Sequence, residues 1–457
     1  MATIRWGALV GAFLLAAVST RAEDPPAPTA PAERALLTFD EGQPAATWGV
    51  DGICRHSFVD VVDAPAGPGP APRGKALSVS APRAGALVAS GFDLPKDWRG
   101  FRAVSFWVWR DEAEAVRRPT GRYELQVIED GAGAYFRRVV ELQHVGWTRV
   151  WLPLRWFRWG DGRVPRWDRI AHLGFVFPEG AELLIDTVTL APEDASGAAQ
   201  LTVADLRNLA FPGADEGASR VVETPDAVVL TDAPDLDPAK LARHLADVKQ
   251  AVYQTFPFLD PAFLPPVVIV FRTHEAYQDF PPRFAQRLNG LSGEPQSGGY
   301  TIMGIATSAW NAKFGQDRPV VAHEYVHALL SLSALLPNHG DWAQEGLASL
   351  FQLRFHPQED IAAVIAKGVA DPRAQTPLRE LCGGGRIPLH RYWQAMTVWE
   401  TLLANGKYAP KLPELFRAFR ETRTTDLGRH LTLLGATWED LTREWQEHCT
   451  TKYGAGK

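Results

Sequence analysis

The spacing of apolar positions divides this chain into two regions with different periodicities. From Ala35 to Pro192, short apolar runs of strand length are separated by Gly, Pro and Asp, a pattern typical of an all-β domain. Longer helical periodicities around a few strands follow from Val221 onward, which indicates an α+β domain. The pattern therefore predicts a multidomain protein, with a β-sandwich over 35–192, a linker rich in Ala, Gly, Asp and Pro over 193–220, and a second domain over 221–457.

The first 34 residues follow a different pattern. Arg5 precedes an apolar stretch from Trp6 to Val18, and small residues follow near Ala22, as in a secretory signal peptide. We predict a cleavable signal over 1–22, a proline-rich linker over 23–34, and a secreted or extracytoplasmic mature chain without a membrane span. A retained membrane anchor is the alternative, although the apolar run is shorter than the ~20 residues that a span needs.

Composition limits the classes of partner and of crosslink. The net charge is −6, with 46% apolar and 22% charged residues, which is typical of globular domains. No basic run is present, so we expect no nucleic-acid partner. The three cysteines are Cys54, Cys382 and Cys449, which allow at most one disulfide within the chain. Cys382 and Cys449 form a candidate pair.

A buried helix predicted to begin at Pro319 carries the strongest chemical signal. His323 and His327 are one helical turn apart and project from one face, as two ligands of one tetrahedral zinc must. Glu324 lies beside them and can act as a general base toward water. The flanks are almost all apolar, and an unpaired polar group there would cost roughly a few kcal/mol. An accidental match on an exposed amphipathic helix is the alternative.

A second helix should supply the third metal ligand. Asp341 is a candidate N-cap, with Gln344 three residues later in a variant of the capping box. Glu345 then falls in the first turn and can point back at the two histidines. The helix dipole alone also favours a glutamate there. Together the two helices predict a zinc site of His323, His327 and Glu345.

These residues resemble those of a known metallopeptidase clan. The His323–His327 and Glu345–Ala348 runs are similar to the HExxH and later Glu of the gluzincins, particularly the zinc aminopeptidases and the peptidase MA-like proteins. The resemblance implies a zinc-dependent peptidase with a peptide or protein substrate. It also implies strands before the zinc helix, at Val228–Leu230 and Val267–Phe271, and an edge strand near Gly298–Thr307 that binds the substrate by β-augmentation.

The resemblance also implies a hydrogen-bond donor for the oxyanion of the tetrahedral intermediate. Tyr392 matches the family's tyrosine that opens a helix, with His390 as a second candidate and packing as the alternative role of Tyr392.

Two departures from the family's sequence pattern limit the activity that the resemblance implies. The Gly-x-Met-Glu-Asn strand of aminopeptidases is replaced by Gly299–Gly304, so exopeptidase activity is not implied. Ser349 stands where thermolysin-like enzymes have an acidic residue that orients a zinc ligand.

The β-region contains a strand with two apolar faces, Ala103–Trp109. Alternation places Val104, Phe106 and Val108 on one face, and Trp107 and Trp109 on the other. Aromatic rings on a sheet face can stack on sugar rings, so Trp107 and Trp109 are candidate glycan-binding residues. Core packing is the alternative for both.

The same region resembles jelly-roll, galactose-binding-like carbohydrate-binding modules. The stretches that carry this resemblance are Leu37–Asp40, Phe101–Val108, Trp147–Leu154 and Leu184–Val188. The resemblance implies a glycan or cell-surface polysaccharide as partner, and a structural calcium with Asp40, Glu41 and Asp186 as candidate ligands.

Two functions from different classes follow. The first is a secreted zinc peptidase that a β-sandwich targets to its substrate. The second is a non-catalytic or structural protein that binds a surface or a glycan and contains a peptidase-like domain. A carbohydrate-active hydrolase would need a pair of essential acids, and no such pair stands out in the β-region.

Overall fold

The computed structural model describes most of the chain from residue 32 onward. The predicted signal and most of the proline-rich linker lie outside the described residues. No helix in the described part is both long and apolar enough to cross a bilayer. The described ranges are 32–40, 47–51, 54–61, 72–90, 94–118, 121–130, 135–142, 145–157, 164–192, 203–213, 217–262, 264–287, 293–295, 297–315, 319–336 and 340–454.

The N-terminal region is built from strands, as the apolar pattern predicts. One short helix, α1 (Glu112–Arg117), follows its sixth strand, and a 3₁₀ turn over Leu154–Trp156 follows its ninth. The strands are β1 (Arg34–Leu37), β2 (Thr47–Asp51), β3 (Arg55–Asp60), β4 (Lys75–Ala81), β5 (Gly85–Ser90), β6 (Ala103–Arg110), β7 (Gly121–Glu129), β8 (Tyr135–Leu142), β9 (Gly146–Pro153), β10 (Ile170–Phe177) and β11 (Ala181–Ala191).

These strands form two antiparallel sheets packed face to face. The first has the order β3-β4-β11-β6-β9, with β1 beside β11, and the second has the order β2-β5-β10-β7-β8. Val104, Phe106 and Val108 of β6 lie in the core between the sheets. The ring of Phe106 meets Phe175 of β10 edge to face at 5.6 Å between centroids. The prediction of an N-terminal β-sandwich is confirmed.

The predicted linker over 193–220 is wrong for its second half. A helix, α2 (Val203–Ala210), lies there. Leu206, Ala210 and Phe211 are buried in one cluster with residues of the second domain. Leu206 and Ala210 are one turn apart and form an apolar stripe, which the abundance of Ala, Gly, Asp and Pro concealed. Residues 193–202 lie outside the described part.

The second domain combines one sheet with many helices. Its strands are β12 (Arg220–Glu223), β13 (Val228–Thr231), β14 (Val267–Phe271), β15 (Gly299–Ile302) and β16 (Ile305–Ala309). Its helices are α3 (Pro238–Thr255), α4 (His274–Arg287), α5 (Pro319–Ser333), α6 (Trp342–Phe355), α7 (Ile361–Ala370), α8 (Leu378–Leu381), α9 (Tyr392–Ala404), α10 (Leu412–Thr422), α11 (Leu431–Leu434) and α12 (Trp438–Tyr453). Single 3₁₀ turns cover Ala312–Phe314, Pro372–Ala374, Leu389–Arg391, Ala409–Lys411 and Leu427–Arg429.

The sheet of this domain has the order β12-β13-β14-β16-β15. The strands predicted at Val228–Leu230 and Val267–Phe271 are present as β13 and β14, which pair in parallel with each other. The stretch predicted as one edge strand is a hairpin of β15 and β16. Its turn, Met303-Gly304, has positive φ at both residues (49° and 79°), the conformation of a type I′ turn that suits the twist of paired strands. β15 is the edge of the sheet.

Helices α5, α6 and α9 form the buried centre of the domain. Every residue of α5 from Val321 to Ser333 is buried. Gly346 of α6 lies directly against α9, because a Cβ at this position would be 2.7 Å from the carbonyl oxygen of Ala395 and from Cδ1 of Trp399. A side chain there would force the helices apart. This close approach brings Glu345, beside Gly346, near Tyr392 at the start of α9.

The three cysteines are buried, and none of them forms a disulfide. Cys382 and Cys449 do not form the candidate bridge. Burial raises the pKa of Cys382 far above its ordinary value and that of Cys449 to about 12. Both thiols therefore stay protonated and pack as small apolar residues.

Candidate metal centre

Two helices place the four predicted site residues together. α5 carries His323, Glu324 and His327, which are 8%, 8% and 2% exposed. α6 begins after Asp341, whose Oδ1 accepts hydrogen bonds from the backbone N–H groups of Ala343 (2.8 Å) and Gln344 (3.1 Å). This cap fixes the first turn of α6, from which the Glu345 side chain reaches the histidines.

Three donor atoms form a nearly equilateral triangle. His323 Nε2 lies 3.1 Å from His327 Nε2 and 3.1 Å from Glu345 Oε2, and His327 Nε2 lies 3.3 Å from the same oxygen. Donors about 2.0–2.1 Å from a tetrahedral zinc lie about 3.3 Å from one another. Among the described residues, these three form the one cluster of His, Cys, Asp and Glu with metal-ligand spacing. The triangle fits a zinc ion.

Two glutamines of α6 fix the histidine tautomers. Gln344 donates through Nε2 to the carbonyl of Leu336 (3.1 Å), so its Oε1 is the atom that faces His327 Nδ1 at 3.2 Å. Gln352 Oε1 faces His323 Nδ1 at 2.9 Å. Amide oxygens only accept hydrogen bonds, so both Nδ1 atoms carry protons. When both imidazoles are neutral, each Nε2 directs a lone pair toward the Glu345 oxygen, and a cation at the centre would stabilise this arrangement.

The pKa values of His327 and Glu345 also show that a positive charge is favoured beside the Glu345 carboxylate. Burial would lower the pKa of His327, but the Glu345 carboxylate outweighs it and raises that pKa to about 9. Burial likewise opposes the charged form of Glu345, yet the two histidines hold its pKa far below the usual range. The carboxylate thus draws a positive charge to the Nε2 side of His327. A zinc ion at this position would supply that charge in place of a proton.

Glu324 is held by the edge strand. Thr301 Oγ1 of β15 lies 2.7 Å from Glu324 Oε2 and 2.9 Å from the Glu324 carbonyl oxygen. At Gly299, a Cβ would lie 2.6 Å from Glu324 Cγ, so this strand can approach the carboxylate only with glycine there. Burial raises the pKa of Glu324, although His327 and His323 oppose the shift. A raised pKa suits a general base.

Tyr392 lies beside the predicted metal ligands. Its ring stacks on the His323 imidazole, with centroids 5.9 Å apart and planes within 5°. Burial raises the pKa of its hydroxyl, and the charge and hydrogen bond of Glu345 raise it further. The hydroxyl therefore remains a donor. His390, the second candidate, is exposed in the 3₁₀ turn before α9.

The roles of three residues of this site were not predicted from the sequence. Gln352 performs the orienting role expected of an acidic residue at Ser349. It lies seven residues beyond Glu345, on the same face of α6, so helical spacing could have identified it. Gln344 was assigned only to the cap. Thr301 comes from a strand far away in sequence, and no local pattern indicates it.

Loss of the Gln352 amide should weaken metal binding. We expect Gln352→Leu to lower zinc affinity by about 10- to 100-fold, because His323 loses the acceptor that fixes its tautomer. The measurement is a competitive zinc titration against a chromophoric chelator. Gln358→Leu, at an exposed position beyond the end of α6, is the control. Equal affinity in Gln352→Leu and wild type would contradict the role of this amide.

The sandwich corrects one of the two glycan-binding predictions. Trp107 is 3% exposed, beneath Arg149, whose guanidinium carbon lies 6.0 Å from the ring centroid. A ring so covered offers no open face, and the prediction for Trp107 is wrong. Alternation along β6 identified the outer face correctly but could not show that other side chains cover it. Arg149 is held there by the carboxylate of Glu33, at the N-terminal end of the described chain.

Trp109 remains a candidate. It is half-buried and lies directly opposite Trp147 on β9, so both indoles share the outer face of the first sheet. Trp151, also half-buried, lies on the same face, with the Arg149 guanidinium carbon 4.3 Å from its ring centroid. These three rings are the aromatic surface of the sandwich.

Two of the three candidate calcium ligands, Asp40 and Asp186, interact electrostatically. Asp186 is 1% exposed, with its Oδ1 accepting the Thr187 N–H at 2.7 Å and its Oδ2 without a hydrogen-bond partner. Burial raises the pKa of Asp186 to about 6, and the charge of Asp40 adds to the shift. Glu41 lies outside the described residues. Calcium binding there stays a prediction.

Substitution of Asp186 tests two effects on stability, that of its buried carboxylate and that of the predicted calcium binding. Since the folded pKa of about 6 exceeds the unfolded value, wild-type stability falls as pH rises from about 4 to 6. Without metal at pH 7.5, Asp186→Asn should therefore stabilise the fold by up to about 3 kcal/mol. Calcium should stabilise only the wild type. Denaturant unfolding in EDTA and in calcium measures both effects, with Asp60→Asn as an exposed control. An equal calcium response in both proteins would refute the calcium site.

Comparisons with known proteins concern the β-sandwich. No protein-family model and no curated protein matches the chain. One similar structure is the family 11 carbohydrate-binding module from Clostridium thermocellum in complex with a β-1,3-1,4-mixed-linked tetrasaccharide, with 16% identity, TM-score 0.25, and coverage of 35% of this chain and 95% of that one. Another is the CBM22-1 xylan-binding domain from Paenibacillus barcinonensis, with 15% identity, TM-score 0.25, and coverage of 36% and 98%.

A third similar structure is an exo-β-agarase, with 12% identity, TM-score 0.26, and coverage of 45% of this chain and 36% of that one. The structural neighbours include carbohydrate-binding modules, the class that the N-terminal region was predicted to resemble. At these identities and TM-scores they assign no ligand and no reaction to this chain.

Proposed function

We propose that the protein is an exported zinc-dependent hydrolase of peptide bonds, with its reaction centre between α5 and α6. The observation that carries this proposal is the triangle of His323 Nε2, His327 Nε2 and Glu345 Oε2, with sides of 3.1–3.3 Å and with Glu324 beside it. A site that only bound zinc structurally would usually have four protein ligands. Three ligands and a buried carboxylate suit catalysis better.

The chain's own residues account for the proton transfers of hydrolysis. When bound, zinc supplies a Lewis acid that polarises a carbonyl and makes water more acidic. Glu324 accepts a proton from the attacking water while the water oxygen bonds to the carbonyl carbon. The C–N bond then breaks, and Glu324 delivers the proton to the leaving nitrogen. Tyr392 keeps its proton and donates a hydrogen bond to the carbonyl oxygen as negative charge develops there.

A peptide substrate is supported by the strand beside the base. β15 is the edge of its sheet and pairs only with β16 among the described strands. Its residue Thr301 contacts Glu324 directly. An extended peptide that pairs with this edge would bring its carbonyl groups close to Glu324. Backbone pairing of this kind recognises main-chain amides and does not depend on particular side chains.

Thr301 should affect catalysis by orienting Glu324. Thr301→Val keeps the shape of the side chain but removes the hydroxyl, so we expect kcat to fall by about 10- to 100-fold with little change in KM. Thr301→Ser should restore most of the activity. Thr307→Val is the matched control, because Thr307 is also buried but donates to the Tyr300 carbonyl. Equal losses in Thr301→Val and Thr307→Val would contradict the positioning role.

The second candidate function is glycan binding by the sandwich, with a helical domain that binds metal but is not catalytic. The half-buried rings of Trp109, Trp147 and Trp151 on one sheet face favour it. Stacking on such rings is compatible with peptidase activity in the same chain. The two candidates therefore differ in whether the metal centre cleaves anything.

A peptide-library digestion separates these candidates. The purified mature chain is incubated with a mixed peptide library after zinc loading, after chelation, and after zinc is restored, and the products are identified by mass spectrometry. In parallel, retention on immobilised polysaccharides is measured. We expect cleavage that chelation abolishes and zinc restores. Retention on a polysaccharide without cleavage of any peptide by the zinc-loaded chain would favour the second candidate.

A further inference from the structure

A cleft between the sandwich and the helical domain is lined by three arginines and one aspartate. The two domains are in contact, since Trp156 packs edge-on against Phe284 of α4 at 5.6 Å between ring centroids. The cleft has a volume of about 160 Å³ and includes Arg166 from the sandwich side and Asp260, Arg417 and Arg420 from the helical side. None of the metal-site residues lines it.

Two of the three arginines that line this cleft, Arg417 and Arg420, form no ion pair with the described residues. Arg417 and Arg420 are three residues apart on α10 and so lie on one side of it. Neither forms a hydrogen bond or an ion pair with any described residue. Arg166 is held by Asp168 through two hydrogen bonds, of 2.9 and 3.2 Å. Asp260, the one acidic residue that lines the cleft, is exposed and forms no ion pair in the described part.

The environment of Arg420 disfavours the charged form of its guanidinium. Arg420 is half-buried. Burial lowers the pKa of its guanidinium and the charges of Arg166 and Arg169 lower it further, while the charges of Glu421 and Asp260 oppose this shift only in part. A cation that loses hydration beside other cations is unfavourable unless an anion approaches it. Phe258 and Phe416 also line the cleft, and their rings lie edge to face at 5.3 Å between centroids.

We propose that this cleft is a binding site for an oxyanion, a carboxylate, sulfate or phosphate group, held by Arg417 and Arg420 with the rest of the ligand against Phe258 and Phe416. Planar guanidinium groups match such oxyanions through paired hydrogen bonds. A ligand here would touch both domains and strengthen their contact. The oxyanion could be a free inorganic ion or the acidic group of a saccharide. The proposal does not depend on the proposed peptidase activity.

Calorimetric titration of the full mature chain tests the site. Sodium sulfate, trigalacturonate and neutral galactotriose are titrated at constant ionic strength set with sodium chloride. We expect saturable binding of sulfate or trigalacturonate, weakened at least about tenfold in Arg417→Gln/Arg420→Gln and unchanged in Arg379→Gln, an exposed arginine of α8. Tighter binding of trigalacturonate than of sulfate would identify an acidic saccharide as the ligand, and equal binding would identify the free ion.

The same titration can overturn the proposal. Absence of binding by both oxyanions at about 10 mM, or equal affinities in the double variant and wild type, would exclude the site. If the double variant does not fold, Arg417→Gln alone replaces it, because Arg417 is exposed and its loss should leave the core intact. Binding of galactotriose as tight as that of trigalacturonate would show that the arginines do not select an anion.

Discussion

Replacement of Glu324 by glutamine is expected to lower kcat for peptide hydrolysis by about 10²- to 10⁴-fold, while zinc stays bound. Glutamine has the shape of glutamate but cannot accept a proton from water or deliver one to the leaving nitrogen. The predicted metal ligands His323, His327 and Glu345 are unchanged, so zinc content should match the wild type. Turnover of a peptide identified in the library digestion, measured beside zinc content by mass spectrometry, tests both statements.

The control for this substitution is Glu359→Gln, because Glu359 is exposed and lies outside the metal site. It should retain full activity. If Glu324→Gln kept wild-type turnover with zinc bound, Glu324 would not be the base and the proposed mechanism would fail. If the activity of Glu359→Gln fell equally, the loss in Glu324→Gln would be nonspecific.

Removal of Glu345 is expected to abolish stoichiometric zinc binding. Glu345→Ala leaves only the two histidines as protein ligands, fewer than the three that catalytic zinc sites usually have. Bound zinc should stabilise the wild-type fold by about 4 kcal/mol when free zinc is about 1,000 times its dissociation constant. The variant should lose this stabilisation, because its zinc affinity is too low. Metal analysis and thermal unfolding with and without zinc measure the two effects.

Glu359→Ala serves as the control for metal binding and stability. It should bind one zinc per chain and show the same zinc-dependent rise in Tm as the wild type. A rise of equal size in Glu345→Ala would mean that the stabilising zinc binds elsewhere. Loss of the rise in both variants would point to a general effect on folding.

Local sequence was sufficient to predict that His323, His327 and Glu345 meet in one cluster. His323 and His327 are separated by one helical turn, and Asp341 marks the start of the helix that carries Glu345. Each of these relations spans only a few residues, so the periodicity of the helix and the chemistry of its cap determine the geometry. The two glutamines on α6 follow the same helical spacing, and their roles could have been predicted from it.

Other features depend on contacts between distant parts of the chain. Thr301 meets Glu324 only because β15 lies against α5. Trp107 is covered by Arg149, a cross-strand neighbour whose position depends on sheet register. Leu206 and Ala210 of α2 are buried only because the sheet of the second domain provides a surface for them. Periodicity identifies the apolar side of an element but not what covers it.

Anomalous X-ray diffraction from crystals of the zinc-loaded chain, collected on both sides of the zinc absorption edge, tests the central claim most directly. The account predicts one strong zinc peak within about 2.0–2.2 Å of His323 Nε2, His327 Nε2 and a Glu345 carboxylate oxygen. Loss of that peak in Glu345→Ala should follow. A zinc-loaded crystal with no peak among these three residues would contradict the account.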